Sequence, residues 1–239
     1  MLGWSLTVVV HRATGRTASG AGLVTLLSGI LAAYSLDRVL DRPTASLALW
    51  MTRVLTTAGV GAALVCLVAA VRLPVRTAAL VPVLGLLALT YPRLKRQPAM
   101  KVLGLPLVWV WAAIALPFND GSWIGWHAFL LPVTAPLLLL MASGCLLCDL
   151  KDEAGDRRAG IASLPALLGG AMTIRIAGSL ALLAGGLALV EHRPGIALSA
   201  ATLGATTLSP SLLATDATGP LLVDVILTLP GLLLSARVF

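Results

Sequence analysis

The chain has 239 residues, 58% of them hydrophobic and 11% charged, with a mean hydropathy of +0.96. A soluble domain of this length carries about 25% charged residues, so the composition excludes one and points to an integral membrane protein. The formal charge of +7 would invite a nucleic-acid partner in a soluble chain. Here the basic residues lie in short loops between apolar segments, where they set orientation, and no nucleic acid is expected.

Met1 to Val10 is apolar but shorter than the roughly 20 residues a span requires, and His11, Arg12 and Arg16 follow it directly. It reads as an interfacial stub. With no charged region ahead of its apolar part, it is not a cleaved signal peptide. Eight apolar segments come next, at about 19–36, 44–71, 77–90, 102–118, 126–148, 164–190, 195–213 and 220–236. The runs are too long and too rich in Leu, Ala and Gly for strands, so the predicted fold class is all-α. It is a polytopic membrane helical bundle of about eight transmembrane helices, forming a single integral membrane domain over 1–239.

Within these segments, Arg53 sits where a long side chain reaches the interface. The 77–90 segment is short and contains Pro82, which predicts a helix that is broken or buried among its neighbours. Trp123 and Trp126 form an interfacial aromatic belt ahead of the fifth span. Cys66, Cys145 and Cys148 all fall inside spans and read as small packing residues. Arg175 and Asp224 also lie inside spans, where charges are rare, so they either pair with each other or face the interior.

Charge is concentrated at two helix ends. Asp149, Asp152, Glu153 and Asp156, four of the ten acidic residues, fall within eight positions at the end of the fifth span. Asp149, Asp152 and Asp156 are spaced i, i+3, i+7, so a helix continuing by two turns brings all three to one face. Each like-charge pair at that spacing costs roughly 0.2–0.5 kcal/mol even in water, so a cation is expected there. Hard carboxylate oxygens suit Mg²⁺ or a similar ion, usually shared with a phosphate group. Asp37 and Asp41 repeat the DxxxD spacing after the first span.

An even number of spans separates the two clusters, which predicts that both face the same side. The loops on that side carry Arg38, Arg42, Arg93, Lys95, Arg96, Lys101, Lys151, Arg157 and Arg158, against Arg12, Arg16, Arg72, Arg76, Arg193 and Arg237 on the other. That nine-to-six bias places the acids toward the cytoplasm, in a bacterial inner membrane. The basic loop from Tyr91 to Pro98 lies beside them, and acids plus basic groups make a site for a diphosphate. His11, His127 and His192 lie toward the opposite side. No P-loop, GxSxG elbow, HExxH or Rossmann fingerprint occurs. An alcohol phosphatidyltransferase, which also pairs DxxxD acids, is disfavoured because no Asp-Gly-x-x-Ala-Arg element is present.

Three pieces of the chain resemble the UbiA-type intramembrane prenyltransferases. They are Asp37-Arg38-x-x-Asp41, Tyr91-Pro92-x-x-Lys95-Arg96, and Asp149-x-x-Asp152-x-x-x-Asp156-Arg157-x-x-Gly160-Ile161-x-Ser163-Leu164-Pro165. The third is the most specific. The resemblance implies a helical bundle around a central cavity, and Mg²⁺-assisted ionisation of an allylic prenyl diphosphate, with transfer to a lipophilic or aromatic acceptor. It further implies that Asp37, Asp41, Asp149, Asp152 and Asp156 hold metal ions, that Lys95, Arg38 and Arg96 bind phosphate oxygens, and that Tyr91 lines the cavity. The chain departs from the family pattern in two respects. Ala33 and Tyr34 stand where the fuller first motif has Asn-Asp, and the family's first helix is missing or reduced to Met1 to Val10. The alternative is a non-catalytic UbiA-like membrane protein that binds or transports a lipid or isoprenoid.

Overall fold

The computed structural model describes residues 2–40, 49–94, 97, 100–118, 131–213 and 218–235, and among these every regular element is a helix. In chain order they are α1 (Leu2–Thr14), α2 (Gly20–Leu40), α3 (Leu49–Ala70), α4 (Val75–Ala78) and α5 (Leu80–Leu94), then a π-helical turn (Met100–Gly104) leading into α6 (Leu105–Ala115). After these come α7 (Thr134–Asp149), a 3₁₀ turn (Leu150–Asp152), α8 (Glu153–Ala159), α9 (Leu164–Leu168), α10 (Gly170–Val190), α11 (Pro194–Thr206), α12 (Pro210–Leu213) and α13 (Thr218–Ser235). Five stretches are long and apolar enough to cross a membrane: Gly20–Val39, Trp50–Ala70, Val75–Leu94, Thr134–Arg158 and Gly170–Val190; two shorter apolar ones are Met100–Ala115 and Gly219–Leu232. The protein is an integral membrane protein of the polytopic helical class. Large apolar side chains such as Val68, Val71, Leu182 and Val190 point outward, which suits contact with lipid chains.

The helices form two compact units, one of residues 1–15, 96–110 and 129–239, the other of residues 16–95 and 111–128. In the first unit α7 is the core. In its most apolar stretch, 61% is buried, against 17–28% in the other four long spans. It packs on α10 and α13, and both contacts depend on small residues. Ala177, Ala181, Ala184 and Ala188 form a fully buried seam along α10, spaced at helical period on one face. Ser143 of α7 donates to the Ala177 carbonyl across this contact at 2.8 Å. On the other side Gly144 faces α13, where a Cβ would come within 2.8 Å of Leu227 Cδ1 and make that side chain shift, so the glycine lets the two helices approach closely.

Residues 2–14, expected as an interfacial stub, instead pack along α13 and bury Leu6, Val9 and Val10. Two serines meet the backbone near Pro230 of α13. Proline has no N–H for the Ile226 carbonyl, and Ser199 Oγ of α11 donates to that carbonyl at 3.0 Å. Ser5 Oγ of α1 accepts from the Gly231 N–H at 3.0 Å and donates to the Leu227 carbonyl at 3.5 Å. Neither serine shows in a hydropathy pattern, yet both supply partners that a bilayer does not.

In the second unit α2 packs along α3, and α5 along α2. Gly59 of α3 sits over Ser35, and Cys66 Sγ donates to the Thr25 carbonyl at 3.4 Å. The third apolar segment is interrupted at Ala79, between α4 and α5. Pro82 explains this, because it lacks the N–H that would bond back to Ala78. Three other segments are also more broken than their hydropathy indicates. The 164–190 run divides at Gly169, whose φ is +85°, into α9 and α10. The 195–213 run divides into α11 and α12 before Pro210, and the 102–118 run opens on the π-turn. Trp123 and Trp126 lie outside the described residues.

Candidate functional site

The acidic motif of the first unit is built where α7 leaves the apolar core. The helical path does not stop at Asp149; it tightens through the 3₁₀ turn and resumes as α8. Asp149 therefore ends α7, Asp152 ends the 3₁₀ turn, and Asp156 lies within α8. The spacing read from the sequence requires such continuation, and two of the three carboxylates do converge. Lys101 Nζ lies 3.2 Å from Asp149 Oδ1 and 3.7 Å from Asp156 Oδ2. The side chains of Lys101, Asp149 and Asp156 are only 12–16% exposed, so this charge cluster is largely shielded from water. Asp152 is exposed and contributes to the electrostatic field at Lys101.

The residues after the acids set the geometry of the acids. Gly160 caps α8 in the left-handed conformation, with φ +66°. The Ile161 N–H bonds back to the Asp156 carbonyl at 2.9 Å, and the Gly160 N–H to that of Arg157 at 3.3 Å. This is the paired closure of a Schellman motif, and it ends the helix one turn beyond Asp156. Ser163 then caps α9 by accepting from the Ala166 N–H at 3.4 Å, with Pro165 in the first turn. The Gly-Ile-x-Ser-Leu-Pro tail is thus a stop signal and a start signal joined by a short corner.

The neighbouring charges have other tasks. Arg157 pairs with Glu153 one turn back, at 3.1 Å, and its Nε donates to the Ala166 carbonyl at 3.1 Å. It ties α8 to α9. Arg158 Nε donates to the Ala154 carbonyl at 3.1 Å. Neither arginine engages the convergent aspartates, and the cation that does comes from 48 positions away. In the sequence Lys101 is one loop charge among several; the signal that marks it is its place on the irregular turn at Met100–Gly104, a geometry frequent at functional sites.

A metal ion has a donor of the right kind here. Asp156 Oδ2 is buried and makes no hydrogen bond, and Lys101 approaches it only to 3.7 Å; a buried acceptor in that position gains from a cation that comes closer. Hard oxygens of this type fit Mg²⁺. Among the described residues no three His, Cys, Asp or Glu side chains converge closely enough to hold a metal by themselves. Of the described residues, these acids alone do not fill the shell of a divalent ion, which leaves positions for water or phosphate oxygens.

The other candidates lie in the second unit. Asp37 and Arg38 fall in the last turn of α2, where Arg38 Nε donates to Tyr34 Oη at 3.2 Å and its guanidinium lies 5.2 Å from the Tyr34 ring centre. Tyr34, which replaces an acid of the family pattern, thus holds the arginine by a hydrogen bond and a cation–π contact. Tyr91 is in the last turn of α5. Asp41, Lys95 and Arg96 lie outside the described residues. Arg175 and Asp224 are both exposed and form no ion pair with each other. Cys145 and Cys148 are free thiols.

A search of curated protein sequences finds no match. Among solved structures, the chain is similar to the apo structure of a UbiA homologue from Aeropyrum pernix K1. Identity is 18%, the TM-score is 0.70, and the alignment covers 98% of this chain and 97% of that one. At that identity the likeness establishes the fold. The model of the UbiA prenyltransferase family matches residues 32–223, which takes in both acidic motifs and the Tyr91 loop, and on that match the chain belongs to the UbiA prenyltransferase family.

Proposed function

We propose that the chain transfers a prenyl group from an allylic prenyl diphosphate to a lipophilic or aromatic acceptor within the bilayer. The observation that carries this reading is the shielded cluster at the end of α7, where two aspartates and a lysine gather in a chain with few charges. Such a cluster is costly in a membrane protein without a task. In this reading Asp149, Asp152 and Asp156 would serve as Mg²⁺ ligands of the second motif and Asp37 and Asp41 as those of the first, and Arg38, Lys95 and Arg96 would donate to phosphate oxygens. Tyr91 would line the cavity near the reactive carbon. Mg²⁺, when bound, neutralises charge on the departing diphosphate.

The chain's own groups do the remainder. The allylic C–O bond breaks with its electron pair leaving on the diphosphate, and the basic side chains stabilise that growing negative charge. The acceptor's nucleophilic atom then bonds to the prenyl carbon and loses its proton. By the loop charges, the acids face the cytoplasm of a bacterial inner membrane.

The Tyr34–Arg38 contact favours one other reading, because it occupies Arg38 where the family pattern has acids. In that case the chain binds or transports an isoprenoid lipid without chemistry. One experiment separates the two. Purified protein in lipid nanodiscs is given labelled prenyl diphosphates and Mg²⁺, with Asp152→Ala as control. Diphosphate release that disappears in the variant supports transfer; equal release by both removes it; binding without release favours the second reading.

A further inference from the structure

We propose that Lys101 is the resident counter-cation of the second acidic cluster and competes with a divalent ion for Asp149 and Asp156. This rests on the reading of that cluster as a metal and diphosphate site. Its ammonium already compensates both carboxylates, at 3.2 Å and 3.7 Å. The two contacts are unequal. Asp149 receives a hydrogen bond, whereas Asp156 Oδ2 is buried, beyond hydrogen-bond reach of the lysine and without any other partner. That oxygen is open to a cation that comes closer, and Mg²⁺ sits about 2.0–2.1 Å from its oxygen ligands.

No other described cation contests the place. Arg157 is engaged by Glu153 and the Ala166 carbonyl, and Arg158 by its own helix. A lysine suits an exchangeable role better than an arginine, because its ammonium is a point charge on a flexible four-carbon stem. When a divalent ion takes Asp156, the ammonium is repelled and turns outward, toward the oxygens of an incoming diphosphate. The acids are thus never left as bare, mutually repelling charges in the empty state.

The test uses Mn²⁺ alone, bound to the full chain in nanodiscs and followed by the electron paramagnetic resonance of the free ion. Lys101→Met is expected to tighten Mn²⁺ binding by roughly fivefold or more, since a unit charge within a few ångströms of the metal is removed. Lys101→Arg, which keeps the charge, is expected to stay within about twofold of the wild type on the same ground. Unchanged or weaker Mn²⁺ binding in Lys101→Met overturns the proposal, as does absence of Mn²⁺ binding in every form.

A second measurement needs no variant. Lys95, Lys101 and Lys151 are the lysines of the chain, so amine acylation at each can be followed by peptide mass. Mn²⁺ is expected to speed acylation of Lys101; slower or unaltered labelling overturns the proposal. Neither readout uses turnover. Competition without prenyl transfer removes only the activity, and transfer with unaltered Mn²⁺ affinity in Lys101→Met removes only the competition.

Discussion

The two acidic helix ends share a DxxxD spacing and differ in how they are held. At the end of α7, Asp149 and Asp156 are shielded and paired with a lysine from a distant turn, and Gly160 and Ser163 fix the backbone beyond them. At the end of α2, Arg38 is exposed and its described contacts are with Tyr34, one turn away on the same helix. The lesson is that spacing alone does not define a site. The second motif is preorganised by tertiary contacts, whereas the described contacts of Arg38 in the first are local to its helix.

The contrast can be broken most sharply by activity against stability. Asp156→Asn is expected to lower diphosphate release by about 1,000-fold, in line with the removal of a group that stabilises developing charge. Asp37→Asn is expected to lose activity on a similar scale, while its thermal midpoint falls less than that of Asp156→Asn, because Asp156 is buried and Asp37 half-buried. An equal fall in the two midpoints would erase the distinction between the two ends.

Next in size is the removal of the two cations. Lys101→Met leaves largely buried carboxylates without their partner and is expected to cost about 2–3 kcal/mol in chemical denaturation. Arg38→Met removes an exposed contact and is expected to cost about 0.5 kcal/mol. Similar costs for both would mean that the lysine is no better buried in its role than the arginine. Gly160→Ala sharpens the comparison from the backbone side. The left-handed φ of +66° disfavours any Cβ, and the expected loss is about 1 kcal/mol. Arg157→Gln, with its partly exposed pair, is expected to be the smallest effect, about 0.3 kcal/mol.

Much of the fold is legible in the sequence because hydropathy and helical period are local properties. The apolar segments, the Pro82 interruption and the continuation of the acids past Asp149 all follow from residues within a few turns of one another. What escapes has a different range. The break at Gly169 within the 164–190 run is marked only by the Gly169-Gly170 pair, and glycine is too frequent inside membrane helices for that to decide a boundary. The seating of residues 2–14 on α13 is set by Ser5 and Gly231, far apart in sequence. Lys101 escapes for the same reason: its partners lie 48 and 55 positions later. A count of loop charges records that the lysine is there without revealing its target.

The wide turn at Met100–Gly104 gives chain length a say in the electrostatics. Deleting Val102, Leu103 or Gly104 would let the segment close into ordinary α geometry and turn the direction in which Lys101 leaves the helix by up to about 100°. The ammonium would swing away from the aspartates with every ionisable group still in place. Loss of a single neutral residue there is therefore equivalent, for the acids, to substituting the lysine itself.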